Sequence, residues 1–213
     1  MVYIRLDIVN KYQYQESEDY KEIKILIPKD SEELEKDFEY LGLDYKNLNI
    51  QDTHIKECEI ICKDDPEYSS NITDEINRLI ERANDSGYTT PFNDMKEFYK
   101  TIKNFVSEDR DKLLAILEAK REQITNMKDA IKFANNINCF ELIDAYDNEE
   151  IGRRLVYNGE IDIEDLMEYA DLYKLGKEYS EDKNMIKTEK GYLSQEFDLK
   201  SEEQEREEEE EFE

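Results

Sequence analysis

"VYIRLDIV", residues 2–9, places Val2, Ile4, Leu6 and Ile8 at every second position, with Tyr3, Arg5 and Asp7 between them. Side chains of an extended chain alternate between two faces, so this spacing predicts a half-buried strand. The pattern recurs in "YKEIKILIP", residues 20–28, which stops at Pro28, and in "THIKECEIIC", residues 53–62. Between these two runs, "SEELEKDFEYLG", residues 31–42, has helical spacing, with Asp30 and Glu33 as a capping box and Gly42 as a stop. A β-β-α-β order predicts a small sheet covered on one face by a helix, and with the helices that follow it predicts an α+β protein.

Beyond this sheet, "DDPEYSSN", residues 64–71, reads as a linker. "ITDEINRLIERA", residues 72–83, groups Ile72, Ile76, Leu79 and Ile80 on one helical face, with Thr73 as the expected cap. "FNDMKEFYKTIKNF" (92–105), "EDRDKLLAILEAKREQI" (108–124) and "NMKDAIKFANN" (126–136) predict further helices, the first two starting near Pro91 and Ser107. "CFELIDAYD" (139–147) begins as a strand, and Asp147 with Glu150 can cap "NEEIGRRLVYNG" (148–159). "NMIKTEKGYLSQEFDL" (184–199) predicts a hairpin turning at Glu189-Lys190-Gly191. The expected organisation is an elongated chain of three small domains. These are a sheet with a covering helix (1–65), a helical middle (66–137) and an acidic α+β domain (138–200), followed by a disordered Glu-rich tail (201–213).

Charge is the feature with most to say about function. The chain carries 56 acids against 29 bases, a net −27. Residues 1–66 are net −8, 67–135 are −2, 136–200 are −9 and 201–213 are −8, so the acidity is not merely a property of the tail. Such a balance excludes ordinary nucleic-acid binding and docking on anionic membranes, and it predicts basic partners. No apolar run approaches the ~18 residues of a membrane span, and the first residues lack the pattern of a signal peptide. The expectation is a cytoplasmic protein whose three cysteines, Cys58, Cys62 and Cys139, are reduced thiols.

The densest stretch is "EIDIEDLMEYADLYKLG", residues 160–176, with six acids before its first base, Lys174. On a helix capped by Asp162 and stopped at Gly176, Glu164, Asp165, Glu168 and Asp171 share an arc of ~120°. Ile163, Leu166, Met167, Ala170 and Tyr173 occupy the opposite side. The expectation is an apolar floor under an acidic roof. Carboxylates 164, 168 and 171 advance by ~6 and ~4.5 Å along such a helix. That is coarser than the ~3.4 Å between phosphates on one DNA strand, but of the same order. A net −27 equals the charge of roughly 46 Å of duplex.

Catalytic signatures do not emerge. The chain has no Gly-rich phosphate loop, no G-x-S-x-G and no HExxH. The EF-hand order is absent, and an abundance of acids makes any chosen carboxylate pair uninformative. His54, Cys58 and Cys62 would share one strand face but span ~26 Å, too far for a common ion. The chain is therefore expected to be no enzyme and to use neither cofactor nor metal.

The order of these segments resembles the ArdA antirestriction family. The likeness lies in "VYIRLDIVNKY", then "ILIPKDSEELEKDFEYLGL" and "NIQD", then "ITDEINRLIERA" with its E-x-N-x-L core. It continues in "EEIGRRLVYNGEI", "LMEYADLYKLGKEYSED" and "MIKTEKGYL". The resemblance implies an elongated three-domain homodimer that imitates bent B-form DNA and blocks type I restriction-modification enzymes. It also implies carriage on conjugative elements or phages. On this reading the candidate phosphate surrogates are Glu141, Asp144, Asp147, Glu149, Glu150, Asp162, Glu164, Asp165, Glu168 and Asp171. Each also reads as a solvated surface acid or a helix cap, Asp147 and Asp162 above all. Two alternatives are an inhibitor of another DNA-handling system, such as a CRISPR effector, and an acidic adaptor or chaperone that attracts basic proteins through its tail.

Overall fold

The computed structural model describes residues 1–16, 20–49, 52–87, 89–161 and 171–197. The protein is α+β. By contact it divides into two compact units, Met1–Arg110 with Lys120–Asn135, and Asp111–Ala119 with the residues from Asn136 on. The expected boundary at 65/66 falls inside the first unit, and the one at 137/138 lies close to the division at Asn136.

In the first unit, β1 (Val2–Asn10) is the centre of a three-stranded antiparallel sheet ordered β2-β1-β3. Its partners are β2 (Glu22–Ile27) and β3 (Thr53–Cys62), with the short helix α1 (Lys11–Glu16) following β1. The even-numbered apolar residues of β1 are fully buried, as their alternation requires. Helix α2 (Ser31–Tyr40) starts at Asp30, whose carboxylate accepts from Glu33 N–H at 2.8 Å, and buries Leu34 and Phe38. Phe38 meets Phe92 edge-on at 5.0 Å and Tyr45 at 5.4 Å.

Helix α3 (Pro66–Asp85) begins six residues earlier than the sequence reading placed it. Asp65 caps it by accepting from Tyr68 N–H, and Pro66 stands in the first turn, so most of the expected linker 64–71 is helix and Thr73 is not a cap. The small polar residues that looked like a loop have another task. Along the edge of β3, Cys62 N–H donates to Ser69 Oγ at 2.7 Å and Ile60 N–H to Thr73 Oγ1 at 2.9 Å. Cys58 N–H donates to Asn77 Oδ1 at 2.8 Å, Asn77 Nδ2 donates back to Cys58 O at 2.9 Å, and Asn84 Nδ2 donates to Ile55 O. A helix advances ~6 Å in four residues and a strand ~6.6 Å in two, so an i, i+4, i+8 row can follow alternate peptides of a strand. The row satisfies an edge that would otherwise invite another strand. Asn77→Ala removes two of these bonds and strands a buried peptide, and is expected to cost about 2–3 kcal/mol in a urea titration.

The expected common face for His54, Cys58 and Cys62 is not found. Ile55 pairs with Ile8 but Glu57 pairs with Asp7, so Lys56 is an extra residue. This bulge reverses the alternation: Thr53 and Ile55 are buried before it, Cys58, Ile60 and Cys62 after it, and His54 faces the other way. Burial pushes the Cys58 thiol above its ordinary range, and burial followed by Lys11 and Lys56 pushes the His54 imidazole below its own. Helices α4 (Phe92–Ile102) and α6 (Met127–Asn135) pack together in this unit. Helix α5 (Ser107–Ala119) ends earlier than its sequence suggested, because Lys120 O closes a turn with Gln123 and Ile124 N–H that buries Ile124.

The second unit holds an antiparallel sheet ordered β4-β6-β5, formed by Phe140–Ile143, Gly191–Gln195 and Ile186–Thr188. The hairpin turns at Glu189-Lys190, while Gly191, expected in the turn, already pairs with Thr188, and the turn is held by Lys190 to Asp111 and by Glu189 N–H to Glu118. Helices α7 (Asn148–Tyr157) and α8 (Leu172–Asp182) pack with Ala145, Ile151, Leu155, Leu175 and Tyr192 into a small core. They meet through glycine. A Cβ on Gly152 would lie 2.1 Å from Leu172 O, and one on Gly176 1.7 Å from Asn148 O. The contacts 152–172 and 148–176 make the pair antiparallel, with backbones as close as only glycine permits.

Candidate acidic interface

The expected helix with Asp162 as its cap and Gly176 as its stop is overturned at its C-terminal end. Asp171 is the N-cap of α8, accepting from Tyr173 N–H at 3.1 Å and Lys174 N–H at 3.3 Å. Gly176 is buried in the middle of α8, and Tyr173 is exposed instead of lying on an apolar floor. A glycine in a helical sequence has two uses, a left-handed stop or a close crossing, and at Gly176 the crossing with α7 decides. Of the ten candidate surrogates, Asp162, Glu164, Asp165 and Glu168 lie outside the described residues.

Of the other six, Glu141 lies on β4 and Asp144 follows it, Asp147 caps α7 and Glu149 and Glu150 lie in its first turn, and Asp171 caps α8. Glu141 sits on β4 opposite Ser194 and is half-buried. Burial, then the neighbouring Glu196, raises its carboxyl above the usual range, Lys183 opposing. Asp144 is exposed and meets Arg154 at 3.3 Å. Asp147 caps α7, accepting from Glu150 N–H at 2.9 Å, while Glu150 reaches back to accept from Tyr146 N–H. Glu149 meets Arg153 one turn on at 2.6 Å. Asp147, Glu149 and Glu150 thus crowd the positive end of the α7 dipole, which tolerates their charge.

The bases of this segment are engaged within the chain. Arg153, Arg154, Lys174, Lys177 and Lys190 meet Glu149, Asp144, Glu178, Glu181 and Asp111. Lys183 stands over the Tyr179 ring, and Lys187 donates to Tyr146 O. Exposed pairs of this kind add little stability, but they draw the few cations onto the surface of their own chain. The acids that remain in excess set the sign of the field a partner would meet.

Two features escaped the sequence reading. Glu160 and Glu196 stand near Glu141 and Tyr179, a proximity that separations of 19 and 55 residues hide. The exposed tyrosines Tyr146, Tyr157 and Tyr173 were visible only as an abundance, 15 Tyr against no Trp. A group whose carboxyl is raised on folding favours the folded state below its unfolded value and disfavours it as pH rises through the folded one. Glu141→Gln is therefore expected to raise stability at neutral pH and to leave it unchanged at pH 3, as read by thermal melts across pH.

Among the described residues no group of three or more His, Cys, Asp or Glu is placed to hold a metal ion. None of the described helices is long and apolar enough to cross a membrane. The chain matches no family model and no curated protein.

Proposed function

We propose that the protein is an inhibitor that occupies the DNA-binding cleft of an enzyme, with its carboxylates standing in for phosphates. The preferred target is a type I restriction-modification enzyme. The observation that carries this reading is the charge of the second unit. Its described bases other than Lys112 meet acids, a ring or a carbonyl of the chain itself, Arg154 on Asp144 and Arg153 on Glu149 among them, while Asp147 and Asp171 stand exposed as helix caps. The caps remain anions, since a capping hydrogen bond leaves the carboxylate charged. A cleft built from Lys and Arg would pair with these groups as with phosphate, and a protein offers no phosphodiester to cut. The resemblance of its segment order to the ArdA family is what favours a type I enzyme as the target.

The test is competition. A purified type I enzyme should lose DNA binding, methylation and cleavage as the protein is titrated in, with excess DNA restoring activity. Inhibition that excess DNA does not relieve would overturn the reading. A panel including a CRISPR effector would separate the first alternative. Truncation after Lys200 would separate the second, because an adaptor working through its tail loses function when residues 201–213 are removed.

A further inference from the structure

Tyrosine rings in this chain take cations. Among the described residues, seven tyrosine rings have a lysine or arginine of the same chain over their face, at 4.7 to 6.0 Å from the centroid. In the second unit these are Tyr179 under Lys183 and Tyr192 under Lys187. The three exposed tyrosines there, Tyr146, Tyr157 and Tyr173, are 75%, 90% and 51% accessible, and no described cation stands over them. An exposed ring with an open face is an interaction site in waiting, and Tyr is enriched where interfaces concentrate their energy.

These rings are held from rigid backbone. Tyr146 N–H donates to Glu150 and Tyr146 O accepts from Lys187, so the residue is pinned on both sides. Tyr157 ends α7, and Tyr173 lies in the first turn of α8 with its N–H on Asp171. The antiparallel Gly152–Gly176 crossing sets the two helices against each other and brings Tyr157 and Tyr173 to the same end of the pair. With the backbone fixed in this way, only the two side-chain torsions of each ring are left to be ordered when a partner binds.

We propose that Tyr146, Tyr157 and Tyr173 anchor the interface by taking arginine guanidinium groups of a basic protein partner across their faces, while the nearby carboxylates attract and orient that partner. The proposal rests on the reading that the partner is a cationic cleft. Charge complementarity selects the occupant, since residues 136–171 hold 11 acids and only two bases. Arginine is favoured over lysine because its planar, weakly hydrated guanidinium can stack on a ring while its edge pairs with a carboxylate. Arg153 on Glu149 and Arg154 on Asp144 show this surface pairing guanidinium groups already. Duplex DNA buries its rings in the base stack, so such contacts would let a protein with coarser charge spacing compete with DNA itself.

The experiment uses the full chain, a triple Tyr146→Ala/Tyr157→Ala/Tyr173→Ala variant and the corresponding triple Phe variant, each checked by circular dichroism. Binding of labelled nona-arginine and nona-lysine peptides is followed by fluorescence anisotropy across a salt series. The wild type is expected to prefer the arginine peptide about tenfold or more. The Ala variant loses that preference with its salt slope unchanged, and the Phe variant keeps it. Equal binding of both peptides by the wild type, an unaffected Ala variant, or a Phe variant as weak as the Ala variant each overturns the proposal. The DNA-competition assay is scored apart from this. If the peptides report ring-dependent arginine preference but no enzyme is inhibited, the inhibitor reading fails alone; if inhibition is indifferent to the rings, this proposal fails alone.

Discussion

Gly176→Ala is expected to unfold the α7–α8 pair. Its Cβ would stand 1.7 Å from Asn148 O and 2.7 Å from Gly152 N, both backbone atoms that no rotamer change can move. To restore ordinary contact at 3.4 Å or more the helices would have to part, and the small core of Ile151, Leu155 and Leu175 between them would open. Overpacking against backbone belongs to the severe class of substitutions, about 4 kcal/mol or more. A domain's whole stability is about 5–15 kcal/mol, so a large share of it would be lost. Gly159→Ala is the contrast: nothing lies within 4 Å of its Cβ and only its φ of +72° objects, at a cost of about 1–2 kcal/mol. Urea unfolding of the two variants side by side checks the pair. A Gly176→Ala protein no weaker than Gly159→Ala would mean that the helices do not cross at these glycines.

The second large effect concerns salt. If carboxylates occupy a phosphate-binding cleft, direct affinity for the enzyme should fall by about two orders of magnitude between 50 and 200 mM salt. A DNA ligand making six or more phosphate contacts loses about a thousandfold over that range through released counterions. Carboxylates spaced more widely than phosphates gather fewer counterions, so the protein's slope should be shallower than that of DNA on the same enzyme, yet far from zero. Asp144→Asn with Glu149→Gln removes two exposed charges without touching a cap and frees Arg154 and Arg153, and should weaken binding and flatten the slope, by less per charge than loss of a phosphate contact does. Affinity that is unchanged across this range would sink the phosphate-surrogate reading whatever the surface looks like. Isothermal titration at four salt concentrations is enough to decide.

Elements whose signals are local were legible. The alternation in 2–9, the caps at Asp30 and Asp147 and the hairpin turn at Glu189-Lys190 appear where the sequence put them. Each depends on contacts within a few residues. The early start of α3 was partly legible too, because Asp65-Pro66 is a helix-opening pair, but Ser69 and Ser70 argued for a loop. What they do not reveal is that a strand edge needs Ser69 as a hydrogen-bond partner.

The candidate interface divides in the same way. Composition and sequence order determined the sign and size of the charge, its concentration in the C-terminal part, the β-β-α-β opening and the absence of familiar catalytic motifs. Tertiary structure alone decided that Asp171 starts a helix, that Gly176 is a crossing point, that His54 is turned away from Cys58 by a bulge, and which acids meet an arginine. The physical reason is range. Periodicity and capping act between residues three or four apart, whereas closeness of backbones, partner choice among like charges and strand phase depend on segments brought together from far along the chain.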